Sequence, residues 1–377
     1  MTTDQTRRPV LLRRAALGAL AALTLSAGCA PPKPDTSGAP TASLPASAAG
    51  ASASGEGTAS AGGARFAPAI LSREPWRYTT ADGEIIRTPN YRLYSTTEDR
   101  VMSARLAGFL EHALAHYRTA IVPLPAPTQR LDTYLMANRP QWERLTQQLM
   151  GPQAEALLKI PRGGYASRGI GVFYNIGLFD TLAIAGHEGW HQYTQRVFNE
   201  PLPVWLEEGM ATYMEGHRWE ENTPVFRAWA NVQRFNQLRT ARNEGKLMPL
   251  DELLDGRPQD FLQFTDQRVL TFYAQLWALV HFLNEGEGGK YRAGLHRVIA
   301  DASAGTLNET VTADRDDAEQ RRALASRTGP GVFLTYFNAD LSTAQSEYSR
   351  FVDQITQTGA ATAIGEGRSP VAPSVPR

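Results

Sequence analysis

The chain has 377 residues, 42% of them apolar, enough to bury the core of one large domain or two ordinary ones. Its 38 basic and 38 acidic residues cancel, so bulk charge offers no pull towards nucleic acid or an anionic surface. A single cysteine, Cys29, excludes an intrachain disulfide and a thiolate cluster, and leaves His, Asp and Glu as the metal ligands available.

Residues 1–28 read as a signal peptide: Arg7, Arg8, Arg13 and Arg14 precede a short apolar run over 15–25 and then small residues. That run is too short to span a bilayer comfortably. Leu25-Ser26-Ala27-Gly28-Cys29 resembles the bacterial lipobox, although Ser26 stands where leucine is usual. The resemblance implies cleavage before Cys29 and lipid attachment there; ordinary secretory cleavage with a free Cys29 is the alternative. An exported protein anchored to the membrane through Cys29 is expected, on the periplasmic face of the cell envelope. Ala30, in place of the aspartate associated with inner-membrane retention, favours the outer membrane. Residues 29–64 hold this cysteine and then almost only Ala, Pro, Ser, Thr and Gly, a composition that cannot offset the entropy of ordering and predicts a flexible tether.

Beyond the tether, Glu84-Ile85-Ile86-Arg87 and Tyr91-Arg92-Leu93-Tyr94-Ser95 mix apolar and polar side chains between turn residues, as hairpin strands do. Helical spacing follows over 101–117, a proline-rich break over 123–127, a strand over 130–137 and a helix over 141–158. Residues 163–175 carry four glycines among aromatic and β-branched residues and read as a strand with exposed backbone, either lying along a substrate cleft or forming a plain glycine-rich hairpin. From there the pattern is helical: 178–198, 204–215, 224–243, 269–284, 290–301, 313–326 and 343–357. The fold class expected is α+β, with a mixed half over 65–215, a helical half over 216–360, and a tail over 361–377 that trails free.

The chemistry lies in His187-Glu188-Gly189-Trp190-His191. Histidines four apart on a helix project from one face, one turn above the other, which suits two ligands on one zinc. A catalytic zinc takes three protein ligands and leaves a position for water, which Glu188 can reach as general base. Flanking apolar residues, Leu182 to Gly186, bury the pair, and buried histidines need partners. A second helix, led by Pro203, brings two carboxylates, Glu207 and Glu208.

At this point the chain resembles the gluzincins of the peptidase-MA superfamily, in which an H-E-x-x-H helix is followed by a helix bearing W-L-x-E-G-x-A; here Trp205-Leu206-Glu207-Glu208-Gly209-Met210-Ala211. The match is close over 187–215, and a looser likeness over 90–94, 163–165 and 273–283 is shared with an uncharacterised bacterial branch. The resemblance implies a zincin-like fold, Zn2+ on His187, His191 and Glu208, and hydrolysis of a peptide or protein substrate. It leaves Glu207 as a solvated charge or a support for a ligand. Related enzymes face the oxyanion with a donor from a later helix; Tyr273 is the first candidate and Tyr213 the second, while a core tyrosine is the competing role. His281 reads as a packed histidine, Trp190 and Trp205 as packing between the two ligand helices, and Met210 and Met214 as core. No G-x-M-E-N segment precedes the motif, so an aminopeptidase is unsupported. A lipid-anchored binding protein with a structural or inactive site is the alternative; it would close the metal with a fourth ligand, for which Glu207, Glu215 and His217 are candidates.

Overall fold

Alternating side chains build the first half as strands β1 (Ser72–Tyr78), β2 (Ala81–Arg87), β3 (Tyr91–Ser95), β4 (Leu131–Met136), β5 (Gly164–Ser167) and β6 (Ile170–Tyr174). In the computed structural model, which describes residues 70–160, 162–261, 266–313 and 317–371, they form one sheet in the order β1-β2-β3-β4-β6-β5. The leader, Cys29 and the tether lie outside the described residues. β1, β2 and β3 make an antiparallel meander, β3, β4 and β6 run parallel, and β5 returns antiparallel to β6 at the edge. Parallel neighbours need crossovers. Helix α1 (Arg100–Tyr117) supplies the first, and α2 (Arg139–Met150) with α3 (Ala154–Leu157) lies within the second. Asp99 starts α1 by accepting the N–H of Met102 at 2.9 Å. The period of two then splits the core: Leu93, Leu131, Leu135 and Phe173 face the main core with α1, while Met136, Val172 and Tyr174 face a smaller one around Trp142 of α2.

The second half is helical: α4 (Leu178–Val197), α5 (Val204–Met214), a small hairpin of β7 (His217–Glu220) and β8 (Thr223–Phe226), then α6 (Val232–Asn243), α7 (Leu250–Asp255), α8 (Pro258–Phe261), α9 (Asp266–Glu285), α10 (Arg292–Ala304), α11 (Leu307–Thr312), α12 (Ala318–Ser326), α13 (Gly331–Phe337), α14 (Leu341–Ile355) and α15 (Ala360–Gly365). The class is α+β, with the sheet in the N-terminal half. Among the described residues no helix is long and apolar enough to cross a membrane.

Close approach of the central helices depends on two glycines. A Cβ on Gly209 of α5 would lie 2.8 Å from Val280 Cγ2 and 3.2 Å from the Leu276 carbonyl oxygen, both on α9. One on Gly189 of α4 would lie 2.6 Å from the Tyr117 hydroxyl of α1. Both contacts are shorter than packed atoms tolerate, so the helices carrying the motif sit where they do because these side chains are absent.

Several elements differ from the sequence reading. The helix expected over 141–158 breaks at Gly151, which takes a φ of +53° before Pro152. The stretch 163–175, read as a strand or a glycine-rich hairpin, takes the hairpin form and turns through Arg168 and Gly169, both at positive φ. The helix expected from 224 starts only at Val232, where Asn231 caps it; residues before it pair as β7 and β8 around Glu221, whose φ is +56°. The tail does not trail free from 361: α15 buries Ile364, Ser369 donates to the Glu285 carboxylate, and Val371 packs on the core. Ile364, Ser369 and Val371 find partners that composition does not reveal.

Candidate metal centre

Helix α4 is fixed from three sides. Gln192 donates to the Asp132 carbonyl of β4 at 2.8 Å, Tyr117 of α1 donates to the Gly186 carbonyl at 2.8 Å, and Tyr193 donates to the Pro125 carbonyl at 2.7 Å. Its i, i+4 geometry sets the rings of His187 and His191 5.0 Å apart. Pro203 then turns the chain back into α5, its carbonyl accepting the N–H groups of Leu206 and Glu207.

Three ligand atoms converge. His187 Nε2 and His191 Nε2 are 3.3 Å apart, and Glu208 Oε2 lies 3.3 Å from the first and 3.6 Å from the second. Zinc bonds of about 2.0–2.2 Å place the ligand atoms of a tetrahedron roughly 3.3–3.6 Å apart, so the donor set fits that ion without rearrangement. Among the described residues these three form the one group of His, Cys, Asp and Glu spaced to hold a metal.

The outward nitrogens are held as firmly. His187 Nδ1 meets Glu215 Oε1 at 2.8 Å, and His191 Nδ1 meets Glu207 Oε1 at 2.9 Å, which also accepts the Thr194 hydroxyl at 2.8 Å. A carboxylate on Nδ1 keeps the proton there and leaves the Nε2 lone pair facing the centre. Glu207 is therefore a support for His191, not a solvated charge; it is 8% exposed. Nor does Glu215 or His217 add a fourth ligand: Glu215 takes His187 Nδ1 and Arg234, and His217 Nδ1 bonds the Glu215 carbonyl oxygen at 2.8 Å. Burial works against ionisation of Glu215, but the Arg234 guanidinium and His187 outweigh it and bring its pKa down to about 2. Glu208 follows the same pattern: burial raises its carboxyl, the two imidazoles prevail, and it is held well below the usual carboxylate range.

Glu188 occupies the next position. Its Oε2 accepts the Ala166 N–H of edge strand β5 at 2.8 Å, while Oε1 has no hydrogen-bond partner among the described residues. Burial, aided by the charge of Glu208, pushes its carboxyl up against the opposing pull of the imidazoles and the Ala166 N–H. Tyr273 of α9 sets its ring edge-on to His187 with centroids 5.7 Å apart. Burial and the charges of Glu208 and Glu188 hold its phenol well above its ordinary value, so it stays a donor. His187, Glu188, His191, Glu208 and Tyr273 are all at most 2% exposed.

The remaining candidates lie elsewhere. Tyr213 packs its ring on His281 at 4.7 Å and accepts from Asn284 at 3.3 Å. His281 stacks on Trp229 at 3.6 Å, a packed residue. Trp190 and Trp205 are both buried in the main core; among aromatic rings the first packs on Tyr117 and Phe198, the second on Phe333 and Phe337 of α13. Met210 and Met214 are core. Sequence reasoning missed Thr194, Asn231 and Arg234, whose roles depend on contacts between separate elements. Compared with known proteins, the chain matches no family model and no curated protein.

Proposed function

We propose that the chain is a zinc-dependent hydrolase of the gluzincin type, acting on peptide bonds, with His187, His191 and Glu208 as the ligands. The observation that supports this most is the meeting of the two Nε2 atoms and Glu208 Oε2 at 3.3–3.6 Å, with each outward Nδ1 backed by a carboxylate. Zinc bound there supplies Lewis acidity, which makes water nucleophilic near neutral pH and polarises a carbonyl. The chain's own residues do the rest. Glu188, with an unsatisfied oxygen and a raised pKa, takes the proton of the attacking water and passes it to the leaving amine. Tyr273 donates to the developing oxyanion. Edge strand β5 meets the centre through Ala166, whose N–H bonds Glu188 and whose carbonyl oxygen accepts from Gln195 of α4. On this reading the sheet with α4 and α5 is the zincin-like half, and the leader with Cys29 places the enzyme on the cell envelope.

Metal analysis of the purified protein tests the reading first. One zinc per chain is expected, and His191→Ala is expected to bind it at least about 100-fold more weakly, more than the cost of losing an outer partner. A mixed peptide library should be cleaved by the wild type and not by the variant. Wild type without zinc would sink the proposal.

One observation favours a second reading, a structural metal in an envelope binding protein: every centre residue is at most 2% exposed. Three protein ligands instead of four argue the other way. A zinc-loaded wild type that cleaves no member of the library would put this reading ahead.

A further inference from the structure

We infer that Arg234 is a positioning residue for this centre, holding the ligand His187 and the phenol of Tyr273 with a single guanidinium; the inference rests on the zinc-hydrolase reading. Four side chains close a ring. His187 Nδ1 meets Glu215 Oε1 at 2.8 Å; Arg234 Nη2 donates to Glu215 Oε1 at 2.7 Å and Arg234 Nε to Oε2 at 3.0 Å. The guanidinium carbon stands 5.2 Å from the centroid of the Tyr273 ring, and that ring returns to His187 edge-on at 5.7 Å.

The arrangement uses what arginine alone provides. Its planar fork satisfies both carboxylate oxygens while its face stays available to an aromatic ring, whereas lysine brings a point charge that cannot do both. Arg234 is 3% exposed, and an arginine so buried is retained only where partners offset the cost of removing it from water. The start of α6 is shaped for the task. Asn231 caps the helix by accepting the Arg234 N–H at 3.2 Å, and its Nδ2 donates to Glu215 Oε2 at 2.7 Å. The cap and the third residue of α6 thus grip one carboxylate. Helix α6, which contributes no ligand, becomes the third element that sets the metal geometry after α4 and α5, and it ties the orientation of His187 to that of Tyr273.

The test is Arg234→Lys in the purified protein. The charge is kept, so Glu215 retains a counter-ion, and a change must come from lost geometry. Zinc affinity by chelator competition is expected to fall 10–100-fold, the usual cost of losing a partner of a ligand. The visible absorption of the cobalt-substituted protein is expected to shift, and kcat on any peptide the wild type cleaves to fall more than KM changes. Glu215→Gln cuts the same ring on its other side and decides the matter if Arg234→Lys fails to fold. The double variant is expected to lose no more affinity than the worse single one, because both break one linkage. Wild-type zinc affinity and an unchanged cobalt spectrum in Arg234→Lys, beside a wild type that binds zinc, would overturn this inference alone. A wild type that binds no zinc would overturn the reading beneath it.

Discussion

Glu188→Gln is expected to load zinc as the wild type does and to lose turnover by about 10²–10⁴-fold, the range that a positioned general base contributes. The substitution is nearly isosteric. An amide oxygen can still accept the Ala166 N–H that Oε2 accepts now, which leaves the amide nitrogen where the unpartnered Oε1 stands. That nitrogen cannot take a proton from water. Since Glu188 is not among the three converging atoms, the metal has no reason to leave. Zinc content and cleavage of the peptide library, read side by side, decide between outcomes. Full turnover in the variant would remove Glu188 from the mechanism, and loss of zinc together with turnover would make it a structural residue.

Glu215→Leu is expected to cost the metal-free protein about 3–5 kcal/mol, because it leaves Arg234 as a buried charge without its carboxylate. The pair is well shielded, with 3% of the arginine side chain and 11% of the glutamate exposed, so solvent screens little of the loss. For a folded region of this size the midpoint should drop by on the order of 10 °C. Glu215→Leu with Arg234→Met removes both charges, and thermal melts should show it recovering a good part of the stability, since apolar pairs of similar volume often replace buried ion pairs at little cost. Recovery will be partial, as His187 Nδ1 and Asn231 Nδ2 lose an acceptor in both variants. A double variant as unstable as the single one would show that the cost lies in packing around residue 215 and not in the stranded guanidinium.

How much could be read from the residues alone follows from the range of each interaction. The two histidines and Glu188 are set by one helical turn, so local spacing is enough to find them, whereas the turn-back at Pro203 offers both Glu207 and Glu208 and only the resemblance singles out the second. The α+β order was likewise visible in the periods. Strand β1, Ser-Arg-Glu-Pro-Trp-Arg-Tyr, was not, because as an edge strand it is charged on its exposed positions and carries a proline. The hairpin of β7 and β8 was hidden by residues that suit a helix equally well. Arg234 and Asn231 sit on a helix that is polar nearly all round, where a buried arginine looks like a surface one. Only the approach of α6 to the end of α5 distinguishes them.

The carboxylates around the centre carry a consequence for what else can occupy it. Glu188, Glu207, Glu208 and Glu215 gather around the two imidazoles, with the Arg234 guanidinium beside Glu215. Burial pulls both imidazoles down, yet the carboxylates prevail and hold His187 above its ordinary value and His191 well above it. A metal ion needs both Nε2 atoms unprotonated, so its uptake expels protons into solution, and acid drives the exchange backwards.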